Sequence, residues 1–138
     1  MKEKFDKRDI LQISIGSLVG AMSFSVEGGI IEISDRISLI HILAIVLISI
    51  TFSYLISYTL GARKLGDRKM LLLWGYIPAR IMAHYFSALL FSAFILWVFG
   101  ANLGVPIGDF LKRIVVLALP ATVTSSATDL IDSQKWRN

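Results

Sequence analysis

The sequence predicts an all-α membrane protein, with four transmembrane helices in a single domain. Its 138 residues are 55% hydrophobic, and the mean hydropathy of +0.69 lies well above the range of soluble domains. The hydrophobic residues form four unbroken runs, each close to the ~20 residues that a helix needs to cross the hydrocarbon core. Such runs lack the alternation of membrane β-barrel strands, which excludes that fold class. The predicted helices cover residues 10–31, 37–60, 80–100 and 114–131.

The first predicted helix carries a small and polar face. Two of its glycines, Gly16 and Gly20, form a GxxxG pattern, which lets a neighbouring helix approach closely. A carboxylate on the same face is expected to point at protein or at a water-filled space rather than at lipid. The residues that share this face at spacings of three and four are Gln12, Gly16, Gly20, Ser23 and Glu27.

Two interpretations of Glu27 stay open. In the first, its face lines a path for cations. In the second, Glu27 forms a structural ion pair with Lys112 or Arg113, which the four-helix topology places at the same membrane level. Glu32 and Asp35 are expected to be ordinary charges at the membrane rim.

The second predicted helix carries serines at intervals of four, at positions 49, 53 and 57. This spacing places the three hydroxyls in one stripe along the helix. Small residues in such a stripe favour close helix packing, and serine hydroxyls in membrane helices can bond to their own backbone without any ligand. We therefore expect a packing role.

The third predicted helix follows a short segment, 69–77, that we expect to lie along the membrane interface, with Pro78 in the first helical turn. Arg80 and His84 are one turn apart and share a face. Histidine titrates near neutral pH and could relay protons. The only other histidine is His41, so a metal site with three protein ligands is not expected, and any metal stays unknown.

The fourth predicted helix ends in the polar stretch ATVTSSATDLID. Four polar residues fall on one face and could coordinate a cation or hold water: Ser125, Thr128, Asp129 and Asp132. The alternative is a structural ion pair between Asp129 and Arg80.

The basic residues predict the orientation. Of the 14 Lys and Arg residues, all except Arg36, Lys112 and Arg113 fall on one side of the four-helix topology. By the positive-inside rule, that side and both termini are cytoplasmic in a multi-pass protein of the cell membrane.

Several classes of function lack support in the sequence. Without cysteine there is no thiol nucleophile and no Cys-ligated metal site. No GxSxG motif, positioned catalytic base or Gly-rich phosphate loop is present, so we predict neither an enzyme nor a cofactor. The basic residues are topological signals, and nucleic acid is not an expected partner.

Three stretches carry a resemblance to a known family: LQISIGSLVGAMSFSVE, RIMAHYFSALLFSAFIL and PATVTSSATD. Over nearly its whole length the chain resembles a family of small prokaryotic integral membrane proteins, domain of unknown function 2391. The resemblance implies a multi-pass fold with no soluble domain. It transfers no catalytic or binding residue.

The functional hypothesis follows from the polar faces. Four helices enclose little space, so a path between subunits of a homo-oligomer is favoured over a path through one subunit. We expect a cation-preferring channel or small transporter, with a small cation and the lipid bilayer as partners. The alternative is a structural or accessory membrane subunit. A third and weaker hypothesis is an intramembrane enzyme that uses His84 and Asp129.

Overall fold

The computed structural model describes residues 7–25, 29–65, 75 and 77–135, and their side chains except those of 60–65 and 129–135. No strand occurs in this part of the chain, and nearly all of it is helical. The helices are α1 (Lys7–Ser25), α2 (Gly29–Arg36), α3 (Leu39–Leu65), α4 (Ile77–Val98) and α5 (Ile107–Lys135).

The predicted first helix over 10–31 differs from the observed structure, which has two helices in this region. The axes of α1 and α2 differ in direction by 85°. A glycine opens α2, where its conformational freedom makes it a poor residue for a continuous helix interior. Glu32, Asp35 and Arg36 then make α2 strongly amphipathic, as a helix at the membrane rim should be.

Two helical segments are long and apolar enough to cross a membrane by length and composition. They are Leu39–Thr59 in α3 and the whole of α4, and α1 with α2 makes a third if the bent pair counts as one span. The four spans predicted from sequence are therefore only partly confirmed. The predicted interfacial segment 69–77 lies mostly outside the described residues.

Side-chain contacts fix the relative directions of three helices. Gly16 of α1 faces Ser125 of α5 and Gly20 faces Ala121, so α1 and α5 are antiparallel. Arg80 of α4 lies beside Asp9, and His84, one turn later, contacts the hydroxyl that bonds to Ile13, one turn after Asp9, so α4 is parallel to α1. We call this end of the bundle the Asp9 end and the opposite end, where α1 finishes and α5 begins, the Asp35 end.

The core between α1, α4 and α5 is built from small and aliphatic residues. Ala21, Ala88, Leu117, Ala118 and Ala121 are all fully buried there. Because alanine has a short side chain, the helix backbones can lie close together, which is the usual packing solution in membrane bundles.

The α3 helix packs through its serine stripe, as the sequence indicates. Ser49, Ser53 and Ser57 are its only buried residues among those with described side chains. Large aliphatic residues such as Leu39 and Leu43 stay exposed, which suits a surface that faces lipid.

Candidate functional site

The GxxxG pattern of α1 packs directly on α5. A Cβ atom added to Gly16 would lie 2.6 Å from the Cα of Ser125, and one added to Gly20 would lie 2.8 Å from the Cα of Ala121. These distances leave no room for any larger residue. The close approach predicted from the glycine spacing is thus present, and α5 is the helix that makes it.

This close approach assembles a buried polar cluster at the Asp9 end. The hydroxyl of Ser125 donates a hydrogen bond of 3.0 Å to the carbonyl oxygen of Ile13, one turn before Gly16. The same hydroxyl oxygen lies 2.8 Å from Nδ1 of His84. Since the serine proton is directed at a carbonyl, which can only accept, His84 donates from Nδ1. The other ring nitrogen, Nε2, is buried as well.

Arg80 lies one turn from His84 on α4 and is almost completely buried, with 2% of its surface exposed. Its Nη2 atom is 3.5 Å from the carboxylate of Asp9, whose side chain is 27% exposed. A charged guanidinium in a membrane bundle is costly unless it is paired, and such residues commonly mark a functional site. We call Asp9, Arg80, His84 and Ser125 the polar cluster.

Buried hydroxyls also occur elsewhere on the helices of the bundle. Many hydroxyls in the protein bond to the backbone of their own helix; Thr122, for example, donates to the carbonyl of Ala118 at 2.6 Å. Others are buried without a hydrogen-bond partner in the part of the chain that the structure describes. These belong to four different helices and are the hydroxyls of Ser17, Ser53, Ser57, Ser87, Ser92 and Ser126.

A second ion pair joins α2 and α5 at the Asp35 end. Arg113 donates from Nε and Nη2 to the two carboxylate oxygens of Asp35, at 3.0 and 2.7 Å, and from Nη1 to the carbonyl of Ala101 at 2.7 Å. These hydrogen bonds hold the pKa of the Asp35 carboxyl below its ordinary value. Asp35 is therefore more than an ordinary rim charge, because it fastens α2 to α5.

The predicted structural ion pairs have partners that the sequence did not identify. Lys112 bonds to Asp109 at 3.2 Å, and Arg113 bonds to Asp35. Glu27, their predicted partner, lies outside the described residues. Asp129, the predicted partner of Arg80, has a side chain outside them as well, so that pairing stays a prediction.

The other predicted site residues are spread over different environments. Ser125 is buried in the polar cluster, whereas Ser23 is exposed and donates to its own backbone at Val19. Gln12 is half-buried. Thr128 is half-buried too and donates to the carbonyl of Thr124.

Sequence reasoning missed Asp9 as a member of the site. The available signal was its place one residue before the predicted first helix, on the side of the membrane where the helix of Arg80 also begins. For metal binding, no group of three or more potential ligands among His, Cys, Asp and Glu comes together in the described residues.

The family comparison agrees with the membrane architecture. The chain matches the family model described as "Putative integral membrane protein (DUF2391)" over residues 2–131. The chain belongs to this family. No curated protein and no solved structure shows a significant match. Membership in DUF2391 places α1, α4 and α5, with their polar cluster, in an integral membrane protein; the family description gives no activity.

Proposed function

We propose that this protein moves a small cation across the cell membrane, and that the cation is a proton. The observation that carries the proposal is the polar cluster, in which a fully buried histidine bonds to a buried serine beside a buried arginine. Ionisable residues inside membrane bundles commonly form ion pathways and proton relays. His84 is suited to a relay because imidazole can accept a proton on one nitrogen and release one from the other.

The buried serine hydroxyls support the same proposal. A buried hydroxyl without a partner costs about 1–3 kcal/mol, so a bundle that retains several of them needs a compensating reason. Water molecules or a transported solute would satisfy these groups. Such hydroxyls occur on α1, α3, α4 and α5, so four helices carry polar groups that could contribute to a route.

A proton suits this interior better than a metal cation. The α1 helix lies so close to α5 that no wide passage exists between them, and no group of three or more His, Cys, Asp or Glu side chains comes together in the described residues. A hydrated metal ion would need both space and a surplus of negative groups. A proton can pass along hydrogen-bonded side chains and single water molecules.

The proposed route runs inside the chain rather than between subunits. Gly16 and Gly20, the centre of the face that the sequence assigned to a path between subunits, are buried against α5. With both termini in the cytoplasm, as the basic residues predict, the polar cluster would lie in the cytoplasmic half of the membrane. A homo-oligomer stays a prediction, and this route does not require one.

Proton flux in proteoliposomes tests the function. The vesicles would contain a pH-sensitive dye, and a potassium diffusion potential would drive protons inward. We expect wild-type protein to acidify the vesicles faster than protein-free liposomes. His84→Gln should remove most of this flux, because glutamine can still donate to Ser125 but cannot take up a proton.

His41→Gln is the matched control, since His41 is exposed and bonds only locally to Ser38 among the contacts described. It should conduct like wild type. A wild-type flux no higher than that of protein-free liposomes would contradict the proposal, as would equal flux in wild type and the His84 variant.

A second candidate function is that of a structural or accessory membrane subunit. The ion pairs Arg80–Asp9 and Arg113–Asp35 support it, because each joins two different helices within the chain. Charged residues with a purely structural role would form such ion pairs between neighbouring helices and so stabilise their packing. A stable, correctly folded wild-type protein without proton flux would favour this function.

A further inference from the structure

An apolar groove of about 460 Å³ opens on the side of the bundle. It lies between α1, α2, α3 and α5, and α5 supplies five lining residues between Val116 and Thr124. Phe24, Ile30 and Ile45 complete the wall from the other helices. The volume is within the range of about 300–1,000 Å³ that is typical of ligand sites. We call it the α5 groove.

The chemistry of the α5 groove favours an aliphatic occupant. Thr124 contributes the only side-chain hydroxyl among the lining residues, and this group already donates to the carbonyl of Pro120 at 2.8 Å. The other lining side chains are hydrocarbon. A polar solute would lose its hydrogen bonds to water on entry without regaining them, whereas a hydrocarbon chain loses nothing.

A basic residue lies beyond the end of the groove that faces the Asp35 end. Lys112, Val116 and Pro120 recur at intervals of four and therefore lie on the same side of α5. Lys112 is one turn, about 6 Å along the axis, beyond Val116. Its side chain is 28% exposed, and its ammonium group lies 3.2 Å from Asp109.

We propose that the α5 groove binds one phospholipid, with an acyl chain along the groove and the phosphate against the ammonium group of Lys112. Charge complementarity identifies the occupant, because a phospholipid carries an anionic phosphate at the end of its hydrocarbon chains and the Lys112 ammonium group has three N–H donors, of which only one is needed for Asp109. The order along α5, from Lys112 to the apolar lining, matches the order of groups in such a lipid. A lysine stem reaches a phosphate readily from the first turns of a membrane helix.

Native mass spectrometry of the delipidated, detergent-solubilised protein tests the proposal. The two probes are phosphatidylglycerol and a diacylglycerol with the same acyl chains, which lacks the phosphate. We expect wild type to retain one phosphatidylglycerol per chain and to bind the diacylglycerol about fivefold more weakly, the effect of one lysine–phosphate attraction. Lys112→Gln should abolish this difference.

Arg36→Gln is the matched charge control at the same end, because Arg36 is exposed and pairs with Glu32. It should keep the preference for phosphatidylglycerol. Val116→Trp should fill the groove and remove both lipids, whereas Leu90→Trp adds the same ring to an exposed site on α4 and should not. If the Val116 variant does not fold, the comparison of the Lys112 and Arg36 variants decides the question.

Three results would overturn the proposal. The first is that the wild-type protein retains no phosphatidylglycerol. The second is a preference for the phosphate that survives Lys112→Gln. The third is a dimer that Val116→Trp converts to a monomer, which would make a second copy of the chain the occupant.

Discussion

Replacing Gly16 by alanine should destabilise the folded protein by about 1–3 kcal/mol, and replacing it by leucine should prevent folding. The added Cβ would lie 2.6 Å from the Cα of Ser125, which is backbone and cannot rotate away. The helices would have to separate, and overpacking of this kind costs about 1–3 kcal/mol for a single methyl group and more for larger groups. Thermal melting and size-exclusion chromatography in detergent measure the effect.

Gly108 provides the matched control for this experiment. It lies in the first turn of α5, and an added Cβ would meet nothing within 4 Å. Gly108→Ala should be as stable as wild type or slightly more so, because alanine favours a helix over glycine. Equal melting temperatures for the Gly16 and Gly108 variants would show that the contact between α1 and α5 is not as close as described.

Loss of Arg80 should also have a large effect on stability. Arg80→Ala removes a buried guanidinium and leaves the carboxylate of Asp9 without this partner, so we expect a cost of about 3 kcal/mol. This is the lower end of the usual range for buried ion pairs, because Asp9 is 27% exposed and can turn towards water. Chemical or thermal unfolding in detergent would show the loss as a lower midpoint.

Arg36→Ala is the control, since Arg36 and Glu32 form an exposed pair on one helix, with side chains 77% and 67% exposed. Exposed pairs contribute less than about 1 kcal/mol, so this variant should unfold close to wild type. An Arg80 variant as stable as the Arg36 variant would mean that the guanidinium is not held in the interior.

The sequence predicted those features that depend on local spacing. Two glycines four residues apart identified the close-packing face of α1, and three serines at the same interval identified the packed face of α3. A helix has a fixed period, so residues at these intervals share a face in any fold. The helical architecture was predicted from a different local feature, the length of the apolar runs.

Features that depend on contacts between distant residues could not be predicted in the same way. Topology placed Arg80 at the same membrane level as Asp129, but it gave no information on how each helix is rotated about its axis. The Asp9 contact joins residues 71 positions apart, and the bidentate pair of Arg113 with Asp35 joins residues 78 apart. The division between α1 and α2 was missed because the helical spacing of Gly20, Ser23 and Glu27 favours one continuous helix across it.

Water contact at His84 tests most directly whether the polar cluster belongs to a hydrated route. Solid-state NMR of protein in lipid bilayers, with ¹⁵N-labelled histidine, can transfer polarisation from water to the ring nitrogens. The sequence contains 2 histidines, so His84→Gln and His41→Gln assign both signals. We predict that the His84 signal builds up at short mixing times, as expected for a ring in contact with water. A His84 signal that grows only at long mixing times, as for a dry core, would contradict the proposed route.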